Sequence, residues 1–380
     1  MLNTSDLLIH CKEQTFSLYI HIPFCRKKCI YCDFLSIPVS GNVPDEYMQS
    51  LMDEFGHIPY PHSLKSIYFG GGTPSLLRLD QIDKIISLVN KLFIINNPEI
   101  SIEINPDDIS EDWIKSIKDI GINRVSIGIQ SFLDKELMYL GRRHDAKKAK
   151  IACEIVSENF RNWSLDLIYG IPNSTYREWE ETIKIAVLYE PSHISTYNLT
   201  YEEGTPLFEN KLHEKVDDDV CLELYKIAEN MLCGYGYEHY EISNFAKPDF
   251  KCIHNLTYWH NEPYIGLGAG AFSYINNLRC ANYRDISKYI EFPGIKEEVD
   301  SLTEREIKIE TLIQYFRLSE GIHEETYYQR FNTSLSNDFG SALGRLVSQK
   351  LLEYDSGIYR PTKEGFYLNN KIGIELLLHG

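Results

Sequence analysis

The stretch SLYIHIPFCRKKCIYC (residues 17–32) decides the fold: a β-rich run leads straight into three thiols, Cys25, Cys29 and Cys32, at C-x3-C-x2-C spacing. Three sulfurs on one compact loop can wrap a corner of a cubane [4Fe–4S] cluster, giving one thiolate to each of three irons. The fourth iron then keeps an open position, as metal sites do when they must admit a substrate or cofactor. Arg26, Lys27 and Lys28 are expected to lower the thiol pKa values and to offset the cluster's negative charge. Two other readings stand beside this one. Zinc favours a fourth Cys or His, commonly as paired C-x2-C units, and His21 is poorly placed for it within a strand; three core cysteines are the other.

Outward from this loop, residues 17 to about 235 alternate short β-rich runs with longer helical patterns. The runs are SLYIHIPF (17–24), SIYFGG (66–71), EISIEINP (99–106), RVSIGIQS (124–131), WSLDLIYG (163–170) and HISTYNLT (193–200). Segments such as DEYMQSLMDEF (45–55), LDQIDKIISLVNKLF (79–93) and EDWIKSIKDIG (111–121) carry helical periodicity between them. Strands alternating with helices imply parallel pairing through right-handed crossovers. Six units are too few for a closed eight-unit barrel, so the expectation is α/β, a partial (β/α)6 barrel over residues 1–235. Residues 236–295, rich in Tyr, Asn and Gly, read as an irregular extension packed against it. Residues 296–380 read as helices around a short hairpin at Asp355-Ser356-Gly357, a small winged-helix-like domain.

The formal charge of −17 argues against a nucleic-acid partner, since polyanion binding needs clustered Lys and Arg. One local basic cluster, Arg142-Arg143 with Lys147-Lys148, reads equally as a solvated helix face. There is no apolar run long enough for a transmembrane segment, and the opening residues lack the pattern of a secretory signal, so a cytoplasmic location is expected. In a reducing compartment nine scattered cysteines make a poor disulfide framework; Cys153, Cys221 and Cys233 are expected in the core.

Polar residues recur at the ends of the strands. Gly70-Gly71-Gly72-Thr73-Pro74 follows the second, and its glycines allow close backbone approach to a ligand. Glu103, Gln130 and Asp166 lie on the next three. One such group alone is often a satisfied core residue, but recurrence on successive strands points to a shared pocket.

Together these motifs resemble the radical-SAM superfamily, in which the open iron chelates S-adenosylmethionine (SAM). Within it the chain is similar, over nearly its whole length, to the branch of coproporphyrinogen oxidases and HemW proteins. The resemblance rests on Tyr19 to Cys25, Gly70 to Pro74, Glu103 to Pro106, Gln130 to Phe132 with Arg142, Asp166 to Pro172, and Tyr197 to Leu199. It implies a [4Fe–4S] cluster on Cys25, Cys29 and Cys32. It also implies SAM contacts from Tyr19, Tyr31, Gly71, Gly72, Thr73, Glu103, Gln130, Arg142, Asp166 and Thr200. Arg142 suits the SAM carboxylate or ribose, its planar donors being directional.

Two functions share that pocket. The first is oxygen-independent coproporphyrinogen III oxidation, a radical decarboxylation of propionate side chains in porphyrin biosynthesis. The second is heme chaperoning, with heme as cargo for a recipient protein. Three features favour the second: Phe34 stands where the oxidases carry a further Cys, the first strand begins by residue 17 without their longer leading extension, and HNLTYW (254–259) resembles the HemW H-N-x-x-Y-W motif. The resemblance makes His254 the candidate axial heme ligand, with Cys252 as an alternative and Tyr258 and Trp259 beside the porphyrin; a structural role for His254 and Asn255 in an irregular segment stays open. So do pairing into a homodimer and cleavage of SAM.

Overall fold

The computed structural model describes residues 2–8, 11, 14–59 and 62–379. The six expected strands are present: β1 (Thr15–Ile22), β2 (Ser63–Gly71), β3 (Ile94–Ile104), β4 (Arg124–Gln130), β5 (Trp163–Tyr169) and β6 (His193–Asn198). Each pairs in parallel with the next, and helices α1 (Asp45–Phe55), α2 (Leu79–Leu92), α3 (Glu111–Ile120), α4 (Ala146–Asn159) and α5 (Tyr176–Leu188) make the crossovers. Local chemistry sets their limits. The Ser110 hydroxyl caps the start of α3, and Gly121 ends it at φ 118°, a conformation that costs glycine little.

The extension differs from expectation. After α6 (Asp218–Gly234) it supplies β7 (Glu238–Glu241), β8 (Asn244–Ala246), helix α7 (Ile253–Trp259), then β9 (Tyr264–Leu267), β10 (Phe272–Ile275) and β11 (Leu278–Asn282). β9 runs parallel to β1 and becomes a seventh parallel strand of the barrel, so this segment is sheet rather than irregular packing. With β12 (Lys296–Ser301) the sheet has twelve strands in the order β12-β11-β10-β9-β1-β2-β3-β4-β5-β6-β8-β7. It stays open, as a partial barrel does.

Register divides every strand into two faces. Residues opposite one another share a face, and Ser17, Ser66, Tyr19, Tyr68, Ser101, Glu103, Ser126, Ser164, Asp166 and Ser195 fall on the same side through successive pairings. The alternate residues, among them Leu18, Ile20, Ile67, Phe69, Ile102, Ile127 and Leu165, are buried in the main hydrophobic cluster with the helices. Each such side chain contributes about 1.5–3 kcal/mol by leaving water. The lumen face is polar and therefore must bond to itself: Ser66 donates to Ser17 (2.7 Å), Ser17 meets Thr257 (2.6 Å) and Ser126 meets Ser164 (3.0 Å).

A second cluster holds the C-terminal residues, with Leu312, Phe316, Tyr327, Leu343, Leu346 and Leu376 at its centre. Helices α8 (Glu304–Tyr315), α9 (Glu324–Phe331), α10 (Leu335–Ser348) and α11 (Asn369–His379) enclose it. A three-stranded sheet of β13 (Ile322–His323), β15 (Ile358–Pro361) and β14 (Leu352–Asp355) completes the winged-helix arrangement. Asp355 pairs with Ile358 across Ser356 and Gly357, both at positive φ, which is the two-residue hairpin turn expected there. Among the described residues no helix is long and apolar enough to cross a membrane. Cys153 and Cys221 are buried as expected; Cys233 is exposed on the last turn of α6, a correction to its expected core position.

Candidate functional site

The cluster loop leaves β1 at Pro23 and is pinned at its base. Phe24–Cys25 pairs with Ile37–Pro38, the Ile37 amide donates to Pro23 O (2.8 Å) and the Val39 amide to Cys25 O (2.8 Å). The thiols of Cys25, Cys29 and Cys32 face a cavity of about 610 Å³ at the C-terminal ends of the strands. Parallel α/β folds place their sites at this end because the strands diverge there and the loops can be varied freely.

Tyr31, Gly71, Gly72, Thr73, Glu103, Gln130, Arg142, Asp166 and Thr200 line the same cavity, so nine of the ten residues expected at SAM are brought together with the thiols. The tenth, Tyr19, lies below them: its hydroxyl bonds His21 Nδ1 (3.0 Å) and its ring stacks on Tyr68. The glycines are required here. A Cβ on Gly71 would sit 2.6 Å from the His21 ring at φ 114°, and one on Gly72 would sit 2.7 Å from Phe24 O and 3.0 Å from Cys25 Sγ. Gln130 has φ 68° where β4 slips register against β5, a local bulge that turns the strand end toward the cavity.

Thr73 and Arg142 both reach the sulfurs directly. Thr73 Oγ1 donates to Cys25 Sγ (3.2 Å), and Arg142 Nη1 to Cys29 Sγ (3.5 Å). Asn105 joins them: its Nδ2 donates to Thr73 Oγ1 (3.0 Å) and its Oδ1 accepts from Arg142 Nη2 (2.6 Å), which also reaches Gly128 O (2.7 Å). Asn105 lies inside the Glu103–Pro106 motif, where the sequence assigns it no role. Its position one step past a strand end that already carries Glu103 was the available signal.

Electrostatics correct one expectation. Burial pushes the Cys25 thiol up and the Cys32 thiol up to about 11, outweighing the nearby cations. Arg26 turns away to Gly41 O (3.0 Å) and Asp108 (3.6 Å), and of the three basic residues only Lys28 acts on Cys32, weakly. At Cys25 and Cys32 a bound metal would have to displace the thiol protons. Likewise the basic cluster is no patch: Arg142 points into the cavity, while Arg143 and Lys148 pair with Asp107 and Asp108.

Burial also raises both lumen carboxyls, Glu103 to about 7, with Asp166's charge contributing. Glu103 accepts from Tyr68 (2.9 Å) and from the Gly71 amide (3.3 Å), and Asp166 from Ser126 (3.3 Å). Two carboxyls in one pocket favour a cationic ligand, which would let both ionise.

The donor set fits a cluster better than zinc. Among the described residues no three His, Cys, Asp or Glu side chains converge closely enough for a single metal ion, whereas a cubane spreads its thiolates over three irons. His21 has both ring nitrogens engaged, with Tyr19 and Leu35 O.

The four residues expected at heme lie elsewhere. His254 is 1% exposed, with Nδ1 on Ser66 Oγ (2.9 Å), Nε2 on Tyr258 Oη (2.9 Å) and its ring stacked on Tyr68. Burial lowers it to about 3, so it is neutral, and neither nitrogen offers a lone pair to an approaching iron in this conformation. Cys252 is fully buried against Glu99, its thiol pushed up to about 12 by burial. Trp259 lies under the Arg317 guanidinium, 4.4 Å from the ring centre. None of the four lines the cavity: His254 and Tyr258 join the polar lumen, while Trp259 packs with Tyr240, Tyr315 and Leu318.

Comparison with known proteins adds the family context. A model of the radical SAM superfamily matches residues 19–186, and one of the HemN C-terminal domain matches residues 302–368. The heme chaperone HemW of Bacillus subtilis is 34% identical over 373 residues, covering 94% of this chain and 97% of that protein. That of Lactococcus lactis is 32% identical over 370 residues, covering 95% and 97%. Coproporphyrinogen III oxidase (HemN) from Escherichia coli, a radical SAM enzyme of known structure, shares the fold with a TM-score of 0.85 at 21% identity, covering 99% of this chain and 93% of that one.

Proposed function

Because the chain belongs to the HemW family of radical-SAM proteins, we propose that it is a heme chaperone: it holds a [4Fe–4S] cluster and SAM in the strand-end cavity and passes heme to a recipient protein. The observation that carries the reading is the convergence of three thiols and nine SAM-motif residues on one cavity, with Phe34 at its rim, 62% exposed, where the oxidases have a further Cys.

Cys25, Cys29 and Cys32 would hold the cluster, which when bound supplies an iron able to chelate SAM and an electron to deliver to it. Thr73 and Arg142 offset charge on two of the sulfurs. Gly71 and Gly72 leave their backbone open to the ligand, and Glu103 and Asp166 offer carboxylates to its cationic groups. Heme enters this reading as cargo rather than as a resident cofactor. A ligand role for His254 or Cys252 requires the hydrogen bonds to Ser66 and Tyr258, or to Glu99, to be given up. The recipient is a heme-acceptor protein met in the cytoplasm.

The test is anaerobic loading with hemin, followed by mixing with an apo heme acceptor. The reading predicts a saturable Soret band that moves to the acceptor, with no loss of coproporphyrinogen III when SAM and reductant are supplied. Decarboxylation without heme uptake would restore the oxidase. A sizing column run on the same sample distinguishes monomer from homodimer.

A further inference from the structure

The H-N-x-x-Y-W segment forms helix α7, which packs at the starting ends of β1, β2 and β3 and points His254 and Thr257 at their lumen-facing residues. Glu99 on β3 receives its first amides, Ile253 N (3.2 Å) and His254 N (3.1 Å), a carboxylate on a helix start. Thr257 joins the Ser17–Ser66 hydroxyl pair, and Ser66 bonds His254. Above His254 lies the Tyr68 ring, 4.9 Å between centres at an interplanar angle of 26°. Tyr19 stands beside Tyr68 on the neighbouring strand, its ring centre 6.3 Å from that of Tyr68 and 6.2 Å from that of His254. The buried Tyr68 hydroxyl donates to Glu103, which lines the cavity and whose other oxygen takes the Gly71 amide.

We propose that His254 is a positioning residue for SAM: it holds the Tyr68 ring, and so the Tyr68 hydroxyl, in the one orientation that aims Glu103 into the SAM cavity. A tyrosine standing on one strand face can tilt about its first side-chain torsion unless something fills the space beneath it. His254 fills that space, and is itself fixed from both ring nitrogens and from its own amide. Glu103 has two donors, and losing the Tyr68 one frees the carboxyl to rotate about the Gly71 amide. The motif thereby acts on the cofactor through one intervening side chain, without touching it. This inference rests on the SAM site proposed above and is independent of where heme binds.

A double-variant cycle tests it. His254→Ala, Tyr68→Phe and the double variant are reconstituted with the cluster, SAM binding is measured by calorimetry, and the change that SAM causes in the reduced cluster's EPR signal is recorded. Both single variants should weaken SAM by about tenfold, and the double variant by no more than either, because they break one relay. Each should also alter the SAM-dependent EPR change, which a merely destabilised scaffold would not. Wild-type SAM affinity in His254→Ala, or factors that multiply in the double variant, would overturn the proposal. Should His254→Ala fail to fold, Tyr68→Phe carries the test, and unchanged affinity there is equally fatal. Hemin titration of the same proteins keeps the questions apart: loss of heme with intact SAM binding assigns His254 to the iron, whereas a wild type that binds no SAM removes the site itself.

Discussion

Asn105→Ala should weaken SAM binding although Asn105 is neither a thiol nor part of the glycine turn. The side chain ties the two donors that reach the cluster sulfurs, accepting from Arg142 at 2.6 Å and donating to Thr73 at 3.0 Å. A hydrogen bond to a charged partner is worth about 1.5–3 kcal/mol and a neutral one about 1 kcal/mol. Most of the first is recoverable, because Arg142 keeps Gly128 O at 2.7 Å and Cys29 Sγ at 3.5 Å, and water can occupy the truncated space. What is lost is orientation. About 1–1.5 kcal/mol should pass to the ligand, roughly a tenfold rise in the SAM dissociation constant. The cluster should also become harder to reduce, since weaker donation to Cys25 and Cys29 destabilises the added electron. Calorimetric SAM titration and a dye-mediated redox titration of reconstituted protein measure both. A dissociation constant within about twofold of wild type, beside an Arg142→Ala variant that binds poorly, would refute the reasoning by showing that Arg142 needs no orienting partner.

Two further outcomes concern stability. Lys296→Met should cost about 3–5 kcal/mol in urea unfolding, because it strips the buried cation from Glu54. That carboxylate is fully buried with Lys296 3.6 Å away, and it also accepts from Tyr289 (2.7 Å), Asn282 (2.8 Å) and the Gly268 amide (2.9 Å), so it joins α1 to the extension; a loss under about 1 kcal/mol contradicts this role. Glu103 gives a pH signature. Its folded pKa of about 7 lies above the ordinary 4.5, so the native state binds more protons than the unfolded one, and SAM-free protein loses stability as pH rises through that window. Glu103→Gln should shrink the stability difference between about pH 5 and pH 7.5, and a variant with the wild-type slope would show that the carboxyl is not strained.

The parallel units were legible because each strand carries its own signal: a β-rich run, followed by a helix with clear periodicity, as in EISIEINP before the Ser110-capped α3. The cysteine loop and its cavity partners were legible for a similar reason, since chemistry clusters at strand ends. The extension was not. β9 is only four residues, YIGL, and its pairing with β1 joins Ser17 to Tyr264, a contact no local pattern announces. Gly266 in its centre reads as a breaker, yet a Cβ there would lie 1.9 Å from Phe272 O, so the glycine permits the tight return into β10. The surroundings of His254 were hidden more deeply. Ser66, Tyr68, Glu99 and Tyr258 meet it from two strands and its own helix, and only the three-dimensional register reveals that its ring is spoken for. The basic loop misled for an energetic reason: burial of the Cys25 and Cys32 thiols outweighs the nearby cations, and Arg26 turns toward Asp108 and Gly41.

The most direct measurement is EPR of the anaerobically reconstituted, reduced protein with and without SAM, beside a Cys29→Ser variant. The account predicts a [4Fe–4S] signal in the wild type that changes on adding SAM, and no such cluster in the variant. A wild type that assembles no cluster, or one whose signal ignores SAM, would contradict the claim that these three thiols hold a cluster open to the cavity.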